Sequence, residues 1–212
     1  MTPMNTSLRG SALVGGISLA VMAVLAPPGL LIASPAGQTG VAALVVLVIA
    51  ALDVVVALSL YPLLAPGGAL LAQTAAAMRV AYGAVFAVAA GSLLEPADVA
   101  PFHAIWDAGL LIFGVHLALV GLAVVRAPSI PSWIGLLVVL AGAGYLADAI
   151  LVALVPGSPL AFAGFTFIGE VVLLIWLIDM WPRITATRDT PTMDVTRAAI
   201  ASPLVVAGRG TP

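Results

Sequence analysis

The sequence predicts an all-α membrane protein with six transmembrane helices in one compact bundle and both termini in the cytoplasm. The chain has 212 residues, of which 63% are hydrophobic and 8% are charged, whereas about a quarter of the residues in soluble domains are charged. Its mean hydropathy is +1.24. Turn-forming clusters recur at about the 20-residue spacing that membrane helices need, and the arginines between and around the apolar runs fall on one side of such a bundle.

Each predicted span is an apolar run between turn-forming clusters, which lie at residues 34–40, 66–68, 95–98, 126–128 and 156–159. The predicted spans are residues 12–33, 41–64, 72–94, 104–125, 132–154 and 160–181. Because the loops are too short to hold another domain, residues 1–181 are predicted to form one transmembrane domain. Residues 182–212 mix Thr, Pro, Arg and Asp without a period and predict a disordered cytoplasmic tail.

Arginine placement gives the predicted orientation, because basic residues near membrane helices stay in the cytoplasm. Arg9 precedes the first span, Arg126 follows the fourth, and the four arginines of the tail follow the sixth. The loop between the third and fourth spans carries Glu95, Asp98 and His103 but no arginine. The sequence therefore predicts that this loop lies outside the cytoplasm.

The first span has a competing interpretation as a cleaved signal peptide, because Arg9 precedes an apolar run. The uncharged stretch continues to Leu52, which is longer than the usual apolar region of about 7 to 15 residues. This length favours a retained helix. Pro27 and Pro28 predict that the helix kinks or ends there.

Composition and motifs exclude several functional classes. The absence of cysteine excludes disulfides and thiolate metal sites, and a formal charge of -2 does not favour nucleic acid as a partner. The sequence has no nucleophile elbow, His-Glu-x-x-His motif, phosphate-binding loop or dinucleotide fingerprint. We therefore predict no cofactor and no metal, with membrane lipids and a small molecule as the candidate partners.

Six ionisable residues fall inside the predicted spans, where a charge at the helix centre costs about 2.5 to 3.5 kcal/mol. Each should therefore face the bundle interior or water. With a rise of about 1.5 Å per residue, four of them lie near the middle of the membrane and form a candidate cluster for binding or proton relay, whereas two acids lie in the outer half. The cluster comprises Asp53, Arg79, His116 and Glu170; the outer acids are Asp107 and Asp148.

Arg79 is the only permanent cation inside the spans, and its estimated depth overlaps that of Asp53. An unpaired arginine in hydrocarbon is costly, so we predict that these two residues interact. Glu170 lies about ten residues from either end of the predicted sixth span. With Arg79 occupied by Asp53, we expect Glu170 to be protonated at neutral pH.

Five stretches resemble the bacterial membrane family called DUF4386, a domain of unknown function. They are residues 53–64, 78–82, 113–121, 130–148 and 169–177. By their order and spacing the resemblance covers roughly the six predicted spans, and the first span matches least. The resemblance implies a six-helix protein of the bacterial inner membrane and no established activity. The matching positions are Asp53, Tyr61, Pro62, Arg79, Gly114, His116, Pro131, Gly135, Asp148, Glu170 and Trp176, and the family gives them no known roles.

Three functions remain open from the sequence. The first is a non-enzymatic bundle that binds or moves a small molecule, lipid or proton through a buried polar cavity, and the cluster of ionisable residues favours it. The second is a structural or partner-binding membrane subunit held together by small-residue faces. The third is an intramembrane enzyme acting on lipid, with His116 in an acid-base pair, for which the sequence offers no nucleophile. The sequence leaves the oligomeric state open.

Overall fold

The computed structural model describes residues 3–94, 99–128, 130–155 and 162–186. All regular secondary structure in these ranges is helical. The helices are α1 (Pro3–Ala26), α2 (Thr39–Leu64), α3 (Ala69–Ser92), α4 (Ala100–Arg126), α5 (Ser132–Leu154), α6 (Ala163–Thr166) and α7 (Ile168–Ala186).

The first span changes its helical form at the paired prolines. The α-helix ends at Ala26, and a π-helical segment continues over Pro27–Ala33. Proline has no backbone N–H and clashes with the preceding turn, so the regular hydrogen-bond pattern stops there. The five-residue hydrogen-bond spacing of a π-helix is present at the end of this segment, where the Ser34 N–H donates to the Gly29 carbonyl at 3.1 Å. The predicted interruption at the prolines is therefore present, but the chain stays helical through it.

The long helices pack in chain order and close into a ring. Each of α1 to α5 packs on the next, and α7 completes the ring by packing on both α5 and α1. Short connections make successive helices antiparallel. One of them is the 3-10 turn Ala65–Gly67 followed by Gly68, whose φ of 141° favours glycine. This arrangement leaves an interior that every long helix borders.

Glycines bring α4 and α5 into close contact. A Cβ atom at Gly121 would lie 2.6 Å from the Gly135 carbonyl oxygen, and one at Gly142 would lie 2.7 Å from the Gly114 carbonyl oxygen. Two glycine pairs thus cross the same interface, as is common where membrane helices approach closely.

The sixth predicted span differs from the continuous helix over residues 160–181 that the sequence suggested. Helix α6 ends at Thr166, Phe167 forms a turn, and α7 begins at Ile168. The start of α7 packs closely against α5, because Gly169 lies directly on the Leu137 carbonyl. Glu170 therefore lies in the first turn of α7 and not ten residues from either helix end.

Helix α7 also continues past the predicted end of the span, to Ala186. It thus includes the first residues of the predicted tail. The remainder of that tail lies outside the described residues, as do Glu95 and Asp98 of the predicted outer loop.

Five helical segments in the described residues are long and apolar enough to cross a membrane. They are Leu8–Ala33, Thr39–Gly67, Ala69–Ser92, Ala100–Arg126 and Ser132–Leu154. Many of their large apolar side chains are exposed, for example Val24 at 72% and Leu58 at 69%. Exposed apolar surface on this scale requires lipid around the helices. The chain is therefore a multi-pass membrane protein.

Candidate functional site: a central cavity with a buried ion pair

The ring of helices encloses a cavity of about 680 Å³. Residues from every described helix line it, and most of them are apolar. Leu31 beside α1 and Phe167 before α7 both line the cavity and are largely exposed, so it reaches the surface near them. A volume of this size is typical of sites for drug-sized ligands.

Asp53 and Arg79 form an ion pair in the cavity wall. The Arg79 NH2 nitrogen lies 2.7 Å from Asp53 Oδ1, and the two residues are 0% and 3% exposed. Gly83, one turn beyond Arg79, lets α2 approach α3 here, because a Cβ atom at this glycine would lie 3.2 Å from the Ala50 carbonyl oxygen. The predicted pairing of Asp53 with Arg79 is thus present in the structure.

Arg79 also contacts His116 on α4. Its NH1 nitrogen lies 3.2 Å from Nε2 of His116, and Nδ1 of the same ring lies 2.8 Å from the Ala75 carbonyl oxygen. A guanidinium can only donate and a carbonyl can only accept. His116 must therefore donate from Nδ1 and accept at Nε2, which makes it the neutral Nδ1–H tautomer. His116 is buried behind Arg79 and does not line the cavity.

The phenyl ring of Phe113 completes the surroundings of the guanidinium. The central carbon of Arg79 lies 5.6 Å from the ring centroid, within the range of a cation–π interaction. Two polar atoms of the ion pair still have no hydrogen-bond partner among the described residues, namely Asp53 Oδ2 and Arg79 Nε. A buried polar atom without a partner is costly, so close packing alone does not account for this pair.

Glu170 lines the same cavity from the side of α7. It interacts with the Tyr145 hydroxyl of α5, and it lies within electrostatic range of both Asp53 and Arg79. The structure thus places three members of the predicted cluster on the cavity wall, and the fourth, His116, one contact away behind Arg79.

The two predicted outer acids lie away from the cavity wall. Asp107 is partly exposed, one helical turn after His103, and the two side chains are within electrostatic range. Asp148 accepts a hydrogen bond from the Phe162 backbone N–H at 2.7 Å. This bond ties the segment before α6 to α5, which is a structural role.

Sequence reasoning missed the aromatic part of the wall. Tyr82, Phe86, Trp106 and Phe113 all line the cavity and form a continuous strip, with ring centroids 5.6 Å apart for Tyr82–Phe86, 4.7 Å for Tyr82–Phe113 and 5.6 Å for Phe86–Trp106. The spacing of these residues in the sequence indicates that they share helical faces. Tyr82 and Phe86 lie on the same face of α3 as Arg79, and Trp106 and Phe113 share a face of α4. Tryptophan near the end of a span is commonly an interfacial anchor, however, so the position of Trp106 does not by itself indicate a cavity.

Within the ranges described, no group of three or more His, Cys, Asp or Glu side chains could hold a metal ion. His116 faces Arg79 with one nitrogen and the Ala75 carbonyl with the other. Neither nitrogen is therefore available for coordination in this arrangement.

The site and fold together define a multi-pass helical membrane protein with a central, partly polar cavity. The model of the family described as "Domain of unknown function (DUF4386)" matches residues 98–181, which confirms the predicted resemblance over the second half of the bundle. That segment contains His116, Tyr145 and Glu170, whereas Asp53 and Arg79 lie before it.

A relative described as "Uncharacterized protein" from Archaeoglobus fulgidus is 32% identical over 100 residues, covering 47% of this chain. The chain spans 60% of the length of that relative. No solved structure matches the chain.

Proposed function

We propose that this chain is a non-enzymatic membrane protein that binds a small amphiphilic molecule in its central cavity, to hold it or to move it across the membrane. The observation that carries the proposal is the ion pair of Asp53 and Arg79 on the cavity wall, where Asp53 Oδ2 has no partner among the described residues. Packing alone does not require such a charged pair beside an empty volume, and intramembrane ionisable residues mark functional sites by default.

The proposal includes six spans, with α7 as the last, and both termini in the cytoplasm of a bacterial cell. Closure of the ring by α7 supports the sixth span, since α7 packs on both α1 and α5. The arginine distribution supports the orientation. A reporter that is active only outside the cytoplasm, fused after Ala186, should give no signal. A strong signal would contradict the orientation or the number of spans.

Two adjacent residues of α1 allow a test of the cavity itself. Ala23 lines the cavity, whereas Val24 faces outward and is 72% exposed. Ala23→Phe should therefore fill part of the cavity, and Val24→Phe adds a ring on the lipid side as the matched control. We expect mass spectrometry in mild detergent to find a small molecule or lipid with the wild type and with Val24→Phe, at a several-fold lower level with Ala23→Phe.

The competing function is a structural or partner-binding subunit, and the same purification distinguishes it. A stoichiometric protein partner retained by both variants, with no small molecule depleted by Ala23→Phe, would contradict the proposed function.

A further inference from the structure

We propose that the ligand of the central cavity is an amphiphilic organic cation. Glu170 provides its counter-charge, and the aromatic strip of Tyr82, Phe86, Trp106 and Phe113 provides the surface against which it binds. This inference rests on the proposed function and specifies the chemical class of the ligand. Three features of the cavity wall support it: the aromatic strip, the distribution of charge, and the shape and polarity of the remaining surface.

The aromatic strip lines one side of the cavity. It consists of Tyr82, Phe86, Trp106 and Phe113, whose neighbouring rings contact one another at centroid distances of 4.7 to 5.6 Å. Aromatic faces carry partial negative charge and attract cations, and walls of several aromatic rings are the usual means of recognising quaternary ammonium groups. An apolar cation therefore gains both hydrophobic contact and electrostatic attraction there.

The charge distribution favours a positive ligand over a negative one. Arg79 is already engaged by Asp53 at 2.7 Å, by His116 at 3.2 Å and by the Phe113 ring. Both of its terminal nitrogens are thus occupied, and an anion would need to displace one of these partners. The opposite charges of Asp53 and Arg79 balance each other. Glu170 is therefore the acidic group whose negative charge, once it is ionised, a ligand cation can balance.

Glu170 faces no cation of its own within the described part of the bundle. The ionisable groups around it are Tyr145 of α5, Asp53 of α2 and the pair Arg79 and Tyr82 of α3. Helix α1 contributes only apolar side chains to the cavity wall, and the α4 residues there are Trp106, Leu110 and Phe113. A ligand cation bound against the aromatic strip would provide the missing positive charge.

The remaining wall is apolar, with leucine, alanine and isoleucine side chains from α1, α2 and α7. A strongly hydrated inorganic cation would lose its water shell there without enough oxygen ligands to replace it. An organic cation with an apolar body does not have this cost, since its charge is spread and its surface is hydrophobic. A cavity of about 680 Å³ is large enough for such a molecule.

Three probes of nearly equal shape test the charge preference. They are tetraphenylphosphonium (positive), tetraphenylsilane (neutral) and tetraphenylborate (negative). Equilibrium dialysis would measure their binding to the full-length protein in detergent micelles, with empty micelles subtracted. We expect tetraphenylphosphonium to bind about tenfold or more tightly than tetraphenylsilane, with tetraphenylborate the weakest.

Two charge variants locate the preference. Glu170→Gln removes the counter-charge and should weaken tetraphenylphosphonium binding about tenfold while leaving tetraphenylsilane binding unchanged. Asp107→Asn removes a carboxylate outside the cavity wall and should leave both affinities as in the wild type. Ala23→Phe should weaken all three probes, since it fills the cavity without changing charge.

The outcomes separate this inference from the proposed function. Equal binding of the positive and neutral probes, abolished by Ala23→Phe, would contradict the cation preference and leave the cavity as a binding site. Preference for tetraphenylborate would overturn the inference in favour of Arg79. Failure of all three probes to bind, with no small molecule found in the purification described above, would contradict both proposals.

Discussion

Arg79 and His116 fix each other's orientation across the interface between α3 and α4. The NH1 nitrogen of Arg79 lies 3.2 Å from Nε2 of His116, and the imidazole reaches back through Nδ1 to the Ala75 carbonyl at 2.8 Å, one turn before Arg79 on the same helix. The imidazole thus joins two points of α3 from α4. The guanidinium is held where its other terminal nitrogen contacts Asp53.

This geometry predicts the protonation state of His116. Nitrogen NMR of protein labelled at histidine should show a neutral ring with the proton on Nδ1, because the guanidinium donates to Nε2 and the Ala75 carbonyl accepts from Nδ1. The resonance assigned by its loss in His116→Gln should keep this pattern at pH 7 in detergent. A doubly protonated ring, or the opposite tautomer, would contradict the arrangement of donors and acceptors described here.

Loss of the imidazole should also destabilise the bundle. His116→Phe keeps an aromatic ring but leaves one Arg79 N–H without its acceptor and removes the second hydrogen bond of the Ala75 carbonyl. Loss of a partner by a buried polar group costs about 1 to 3 kcal/mol. Thermal unfolding in detergent, followed by circular dichroism, should show a lower melting temperature for this variant. Asp107→Asn, which alters a partly exposed residue of the same helix, serves as the control and should change little.

The ion pair of Asp53 and Arg79 can be tested with a double-mutant cycle. Asp53→Asn and Arg79→Gln should each destabilise the protein by about 3 to 5 kcal/mol, because each leaves its partner as an uncompensated buried charge. The double variant should lose less than the sum of the two single changes. Chemical or thermal unfolding of all four proteins in the same detergent gives the interaction free energy. Strictly additive losses would show that the two side chains do not stabilise each other.

Much of the fold followed from the sequence because its signals are local. Helix α5 begins after Pro131 and ends before the Pro156 cluster, and the prediction of residues 132–154 matches it. Charge balance then identified the pairing of Arg79 with Asp53, since a lone internal cation needs a carboxylate. Neither inference required knowledge of how the helices are arranged around the cavity.

The remaining features depend on that arrangement and could not be predicted. The interruption between α6 and α7 at Phe167 has no proline in the sequence to mark it. It lies next to the backbone contact between Gly169 of α7 and Leu137 of α5. The contact of His116 with Arg79 depends on the rotation of α4 against α3. Depth estimates placed His116 at the right level but did not reveal that it lies behind Arg79.

The close approach of α4 and α5 predicts a steric effect at Gly121. A Cβ atom there would lie 2.6 Å from the Gly135 carbonyl oxygen, so Gly121→Ala should force the helices apart and cost about 1 to 3 kcal/mol. The control is Gly91→Ala in α3, where nothing lies within 4 Å of the added atom. It should be neutral or slightly stabilising, as alanine favours helices over glycine. Equal melting temperatures for the two variants would contradict the close contact.

Glu170 should change its protonation state when a cation binds. Without a ligand its neighbours are the Tyr145 hydroxyl and the compensated pair of Asp53 and Arg79, so the carboxyl group has no cation of its own and should be substantially protonated at pH 7. Its C=O stretch should appear in infrared difference spectra between wild type and Glu170→Gln. Addition of tetraphenylphosphonium should abolish this band and produce a carboxylate signal, because the ligand supplies the positive charge that ionised Glu170 requires.

Binding of the cation should therefore release up to one proton from Glu170. The affinity should increase as the pH rises, since a proton competes with the cation for the same carboxyl group. Asp107→Asn should show the same response as the wild type. A Glu170 that stays protonated with the cation bound, or that is already ionised in the empty cavity, would contradict this exchange of a proton for a ligand cation.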